Sequence, residues 1–137
     1  MECKIKCLSF HLHTLFYTLG YYGEYANICL TRSYLNNDVI CTAGGVPNTN
    51  DNPFLINFIK NHEYTIEEKL INLCDLMCLQ GDKVFTIDKR LIDIMIRRGA
   101  YSNTQYHIKE IYKSEEYFDN LLGYNLYDLF PEIKENL

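Results

Sequence analysis

The chain has 137 residues, 47% of them apolar and 23% charged, which fits one globular domain with one core and excludes extensive disorder. Its formal charge is −5, and its one dense basic spot, Arg97-Arg98, reads as the cationic last turn of a helix, so a nucleic-acid backbone is not expected as its main partner. No apolar run reaches the ~18 residues of a membrane span.

The first predicted helix spans about Lys4 to Leu19. Its apolar stretch from Leu8 is broken by His11, His13 and Thr14 and leads to no small-residue cleavage site, so no secretory leader is predicted. The six cysteines, Cys3, Cys7, Cys29, Cys41, Cys74 and Cys78, then read as reduced thiols of a soluble cytoplasmic protein. None makes a CxxC pair, and buried free thiols are the simplest reading. A second helix starts near Glu24, with Tyr25, Ile28, Cys29 and Tyr34 on or near one face.

Residues 36–53 hold Gly44-Gly45, Pro47, Pro53 and several Asn and Asp, and read as a long loop. Pro53 suits a helix start, because its missing N–H is unpaired there anyway, and Phe54, Leu55, Phe58 and Ile59 follow as an apolar face. Thr65-Ile66-Glu67-Glu68 is a capping-box pattern opening a helix to about Leu79, with a stop at Gly81. Another helix begins at Thr86, carries Ile87, Leu91, Ile94 and Met95 at helical spacing, and ends at Arg97-Arg98-Gly99. A longer one covers about Gln105 to Leu122, with Ile108, Ile111, Tyr112, Phe118, Leu121 and Leu122 inward and His107 at the surface. A short helical turn from Leu126 to Phe130 precedes Pro131. Val84-Phe85-Thr86 is the one strand candidate and is too short to anchor a sheet. The expectation is a single all-α domain over residues 1–137, with about six helices.

Two polar residues stand out. His62 lies at the end of one predicted helix, and Asp75 lies mid-helix between apolar neighbours in Leu73-Cys74-Asp75-Leu76-Met77. A carboxylate there must be paired, metal-bound or turned to solvent. Asp75 on the polar edge of an amphipathic helix satisfies the same constraint. Arg90 and Asp93, three apart, read as a surface ion pair worth little.

The stretch from His62-Glu63 through Glu68-Lys69-Leu70-Ile71-Asn72-Leu73-Cys74-Asp75-Leu76-Met77, Asp88-Lys89-Arg90-Leu91-Ile92-Asp93, Arg98-Gly99, Leu122-Gly123 and Leu126-Tyr127-Asp128-Leu129-Phe130-Pro131 resembles the later part of bacterial HD-domain proteins, a superfamily of metal-dependent phosphohydrolases. In that family a first His, a His-Asp doublet and a late Asp hold one or two divalent metals. By this resemblance Asp75 stands for the late Asp, His62 for an additional His, and His13 for the first His, with His11 the alternative. Gly23 to Tyr34 resembles the helix leading to the doublet, but Arg32-Ser33 stands where the doublet belongs.

The resemblance therefore implies a compact HD-like helical fold with His13, His62 and Asp75 as candidate metal ligands. The implied cofactor is Mn, Fe, Co or Zn if the domain is active, and none otherwise. Arg32 would oppose metal binding and attract phosphate. Asp38 is a further carboxylate that could replace the missing one. Two functional readings follow. One is a phosphohydrolase, of weakened activity, acting on a small phosphate ester or nucleotide. The other is a non-catalytic HD-like domain with a degenerate site that binds a phosphate-bearing ligand or a protein partner.

Overall fold

Helices carry most of the described residues. The computed structural model describes residues 23–79 and 83–135. The predicted first helix, with His11 and His13, lies outside the described residues, as does Gly81. Among the described residues there are five α-helices: α1 (Gly23–Thr31), α2 (Pro53–Asn61), α3 (Ile66–Met77), α4 (Ile87–Arg98) and α5 (Thr104–Leu122). Two 3-10 turns, Leu126–Leu129 and Pro131–Glu135, follow.

Local chemistry sets the helix ends. Asn52 caps α2, its side chain accepting from Phe54 N and Leu55 N, with Pro53 at the first helical position. At α3 the predicted capping box forms: Glu68 N donates to Thr65 Oγ1 at 3.2 Å and Thr65 N donates to Glu68 Oε2 at 2.9 Å. Thr86 caps α4, which closes at Gly99 after Arg97 and Arg98. Arg97 and Arg90 both pair with Asp93 along the surface of that helix. Gly123 ends α5 in the left-handed conformation, φ 78°.

Several expectations need correction. The helix expected to reach Leu79 stops at Met77, because Cys78–Leu79 turns into strand β3 and pairs antiparallel with β4, Lys83–Val84. Val84 is thus in a strand, although only of a two-residue ladder. The expected loop also holds a hairpin of β1 (Cys41–Thr42) and β2 (Val46–Pro47) around Gly44-Gly45. Both ladders are too short to show a period of two in sequence. Tyr112 and Leu121, expected inside, are exposed. His107, expected at the surface, is 0% exposed. The α5 face that packs inward runs through Thr104, His107, Ile111 and Phe118, which places His107 on the core side.

Side chains impose order on residues 36–53. Asn36 and Asn37 both have positive φ, 50° and 62°, a conformation Asn tolerates better than most residues. Asn37 Nδ2 donates to the Ile59 and His62 carbonyls at 2.6 and 2.7 Å, satisfying the C-terminal end of α2. Asn48, Asn50 and Asn52 form a stair of turns in which each side-chain oxygen accepts the backbone N–H two residues on, the last serving as the α2 cap.

Helix α3 is central and packs against α1, α4 and α5. Its Leu73, Leu76 and Met77 join Ile87, Leu91, Ile94, Ile111, Phe118 and Leu126 in the main core. A smaller cluster of Leu30, Tyr34, Leu55 and Ile59 ties α1 to α2. No helix among the described residues is long and apolar enough to cross a membrane.

Candidate functional site

Three polar assemblies sit around the α1–α3–α5 packing. The first follows one stripe of α3, where Glu68, Asn72 and Asp75 succeed one another at helical spacing. Glu68 is 3% exposed, and both of its oxygens lie 2.8 Å from His62 Nε2. It also accepts from Thr31 Oγ1 of α1 at 3.4 Å. Asn72 Nδ2 donates to the Thr31 and Tyr34 carbonyls at 3.0 and 3.2 Å, sharing them with Tyr34 N and the Tyr64 hydroxyl at and just past the end of α1. At the far end of the stripe Asp75 is exposed; partial desolvation raises its carboxyl, and the charges of Arg32 and Arg90 offset only part of that rise.

The predicted site residues are therefore distributed as follows. Arg32, at the end of α1, exerts its charge on Asp75 of α3. His62 lies one helix end away, held by Glu68 rather than by Asp75. Its ring stacks on Phe58 with centroids 4.7 Å apart and meets the edge of Tyr64 at 5.5 Å. Sequence reasoning saw Glu68 only as a helix cap. The same carboxylate orients His62, a second role that sequence spacing does not announce.

The second assembly is a cleft of about 590 Å³ beside His62, between the 35–37 turn, the end of α2, and the faces of α3 and α5. Lys60, His62 and Lys69 contribute from one side, and Lys113, Ser114 and Tyr117 from the other. Lys113 Nζ donates to Glu110 Oε1 at 2.6 Å and Asn36 Nδ2 donates to Glu110 Oε2 at 3.0 Å, so that acid is neutralised within the wall. Leu35 and Phe118 supply apolar lining. The cleft thus combines lysine ammonium groups, side-chain amides, an imidazole and aromatic edges.

The third assembly joins the β1–β2 hairpin to the start of α5. Asp38 Oδ2 lies 2.8 Å from His107 Nε2, while Asp38 Oδ1 accepts from the Ile40 and Cys41 backbone N–H groups at 2.8 and 3.3 Å. Burial pushes the Asp38 carboxyl up, but these hydrogen bonds and the His107 charge outweigh it and hold the group below its usual range. Cys41 is 4% exposed. Its thiol is raised by burial and by the Asp38 charge, against a hydrogen bond from the Asn103 side chain. Asn103 makes no side-chain cap bond to α5, although it occupies the capping position. Potential metal-ligand atoms of Asp38, Cys41 and His107 all lie within 4.8 Å of one another, the one such group among the described residues. Sequence reasoning raised Asp38 as a substitute carboxylate but joined it to neither Cys41 nor His107.

Compared with known proteins, the chain matches no family model, no curated protein and no solved structure.

Proposed function

We propose that the chain is a non-catalytic HD-like domain that binds a phosphate-bearing small molecule, a phosphate ester or nucleotide, in the cleft beside His62. The observation that carries this reading is the composition of the cleft wall: Lys60 and Lys69 line a space of about 590 Å³ with His62 at its edge, while Lys113 is engaged with Glu110 and Glu63 is the other acid on the wall. A volume of this size suits a small ligand, and lysine ammonium groups serve phosphate as point charges. Tyr117 and the neighbouring amides offer an aromatic surface and hydrogen-bonding groups to the remainder of such a ligand.

The non-catalytic half of the reading rests on how the other polar groups are engaged. Arg32 brings a fixed positive charge to Asp75, where the resemblance would place a metal. That positive charge acts against a metal cation at the same carboxylate. His62 is bonded to a buried carboxylate, which orients its ring and directs Nε2 away from any ligand. Phosphate contact is thereby assigned to Lys60 and Lys69 in place of Arg32.

Thermal melting of the full chain in the presence of nucleoside monophosphates and simple sugar phosphates tests the reading. One class is expected to raise the melting temperature, and Lys60→Ala/Lys69→Ala is expected to weaken binding by at least ~10-fold, since two charge-assisted contacts are lost. Arg32→Ala is expected to leave that affinity within ~2-fold, because Arg32 acts on Asp75. Stabilisation unchanged in the double variant would remove the cleft from consideration.

A further inference from the structure

The geometry points to a zinc-type metal site at Asp38, Cys41 and His107, separate from the cleft and, Asp38 aside, from the residues implied by the family resemblance. None of the three lines the cleft. They come from the turn before the hairpin, from β1 and from α5, so a shared ion would tie the 38–47 segment to the helix it covers.

Donor chemistry selects the ion. A thiolate and an imidazole favour zinc and related transition metals, whereas calcium and magnesium require oxygen donors. Charge selects it as well. With the thiol proton released on binding, one carboxylate and one thiolate together carry two negative charges, which a divalent cation neutralises. The existing spacing is close to what is required. Tetrahedral zinc at ~2.0–2.3 Å from its ligands separates donor atoms by roughly 3.3–3.8 Å. The three donors already lie within 4.8 Å of one another, and small side-chain rotations would adjust them.

An independent feature points the same way. His107 is completely buried, and its Nδ1 meets no hydrogen-bond partner. With Nε2 on Asp38, the ring holds a buried nitrogen without a donor or acceptor, a condition folded proteins seldom leave uncompensated. A metal bound through Nδ1 compensates it directly. The ring can bind through Nδ1 while Asp38 orients Nε2–H, or bind through Nε2 and rotate Nδ1 toward a new partner. With Nε2 as the ligand atom, three protein donors leave a fourth position for water or an exogenous ligand; with Nδ1, Asp38 orients the ring and two positions are left. A nucleophilic cysteine is the competing use of these residue types. The Cys41 side chain is only 4% exposed, whereas a nucleophile must be reached by its substrate.

The test is titration of the metal-free full chain with cobalt and then zinc, without a phosphate ligand, so that its outcome is independent of the cleft. One equivalent of cobalt is expected to give tetrahedral visible bands and a thiolate-to-cobalt charge-transfer band, both displaced by zinc. Cys41→Ser is expected to abolish the charge-transfer band, while Cys74→Ser/Cys78→Ser retains it. Asp38→Asn is expected to weaken zinc binding by about 10–100-fold whether Asp38 ligates or orients the imidazole. X-ray absorption of the zinc-loaded wild-type chain, which requires no variant to fold, is expected to show one sulfur at ~2.3 Å and nitrogen or oxygen neighbours at ~2.0–2.2 Å. A band that survives Cys41→Ser, two or more sulfurs around zinc, or no uptake of either metal would overturn the assignment.

Discussion

Glu68→Ala is expected to destabilise the chain by about 3 kcal/mol, a large fraction of a small domain's stability. Three losses coincide. His62 loses the carboxylate 2.8 Å from its Nε2, Thr31 loses its 3.4 Å acceptor, and Thr65 N loses its half of the capping box. The hole also lies at a position 3% exposed, where water cannot readily replace the missing acceptor. Glu68→Gln should cost only about 1 kcal/mol, because Gln serves the capping box and keeps one oxygen for these donors. Thr65→Ala should also cost about 1 kcal/mol, since it removes the cap and leaves the His62 contact. Urea unfolding of the three variants checks the order. Equal losses for Glu68→Ala and Thr65→Ala would mean that Glu68 acts only as a cap.

The second large effect is expected at the hairpin. Gly45 has φ +78°, and a Cβ built there would stand 2.6 Å from Thr104 Cα and 2.9 Å from Thr104 N. Both contacts are with backbone, so no side-chain rotation relieves them. Gly45→Ala should therefore cost about 3 kcal/mol, combining left-handed backbone strain with the displacement of the hairpin from α5. Gly123→Ala isolates the first component. Its φ is also +78°, but nothing lies within 4 Å of the added methyl group. It should cost about 1 kcal/mol. Matching losses in the two variants, measured by thermal or urea unfolding, would show that the Gly45–Thr104 approach contributes nothing.

The contrast between these glycines reflects what a sequence can and cannot carry. Helix boundaries were legible because they depend on neighbouring residues. Thr65-x-x-Glu68, Pro53 and Arg97-Arg98-Gly99 each announce an end, and each stands at one. The 36–53 segment was legible as non-helical from its Gly, Pro and Asn content. Its hairpin was not, since two-residue strands offer no periodicity. The Asn48, Asn50 and Asn52 stair is a local signal that could have shown this loop to be ordered.

The site was harder to read because its contacts are long-range. His107 pairs with Asp38 across 69 positions, and Thr31 reaches Glu68 across 37. Spacing along one helix cannot supply such partners. The position of His107 was partly recoverable. Thr104, His107, Ile111 and Phe118 form one face, and choosing Ile108, Tyr112 and Leu121 as inward rotates α5 by a fraction of a turn. That rotation moves a buried imidazole to the surface. Of the two polar residues singled out in sequence, His62 is held by a partner, whereas Asp75 lies exposed on the polar edge of α3. The His62 partner is Glu68, six positions on in the next helix, and Asp75 satisfies its charge chiefly through solvent.

Ligand binding without turnover is the central claim, and phosphorus NMR of a nucleoside monophosphate incubated with the full chain and added divalent metal tests both parts of it at once. The account predicts a phosphate resonance that broadens or shifts with the wild-type chain and recovers with Lys60→Ala/Lys69→Ala, with no inorganic phosphate accumulating. Inorganic phosphate released in proportion to protein concentration would contradict the non-catalytic assignment and favour the hydrolase. An unperturbed resonance across the ligands that stabilise no melting transition would contradict the phosphate site itself.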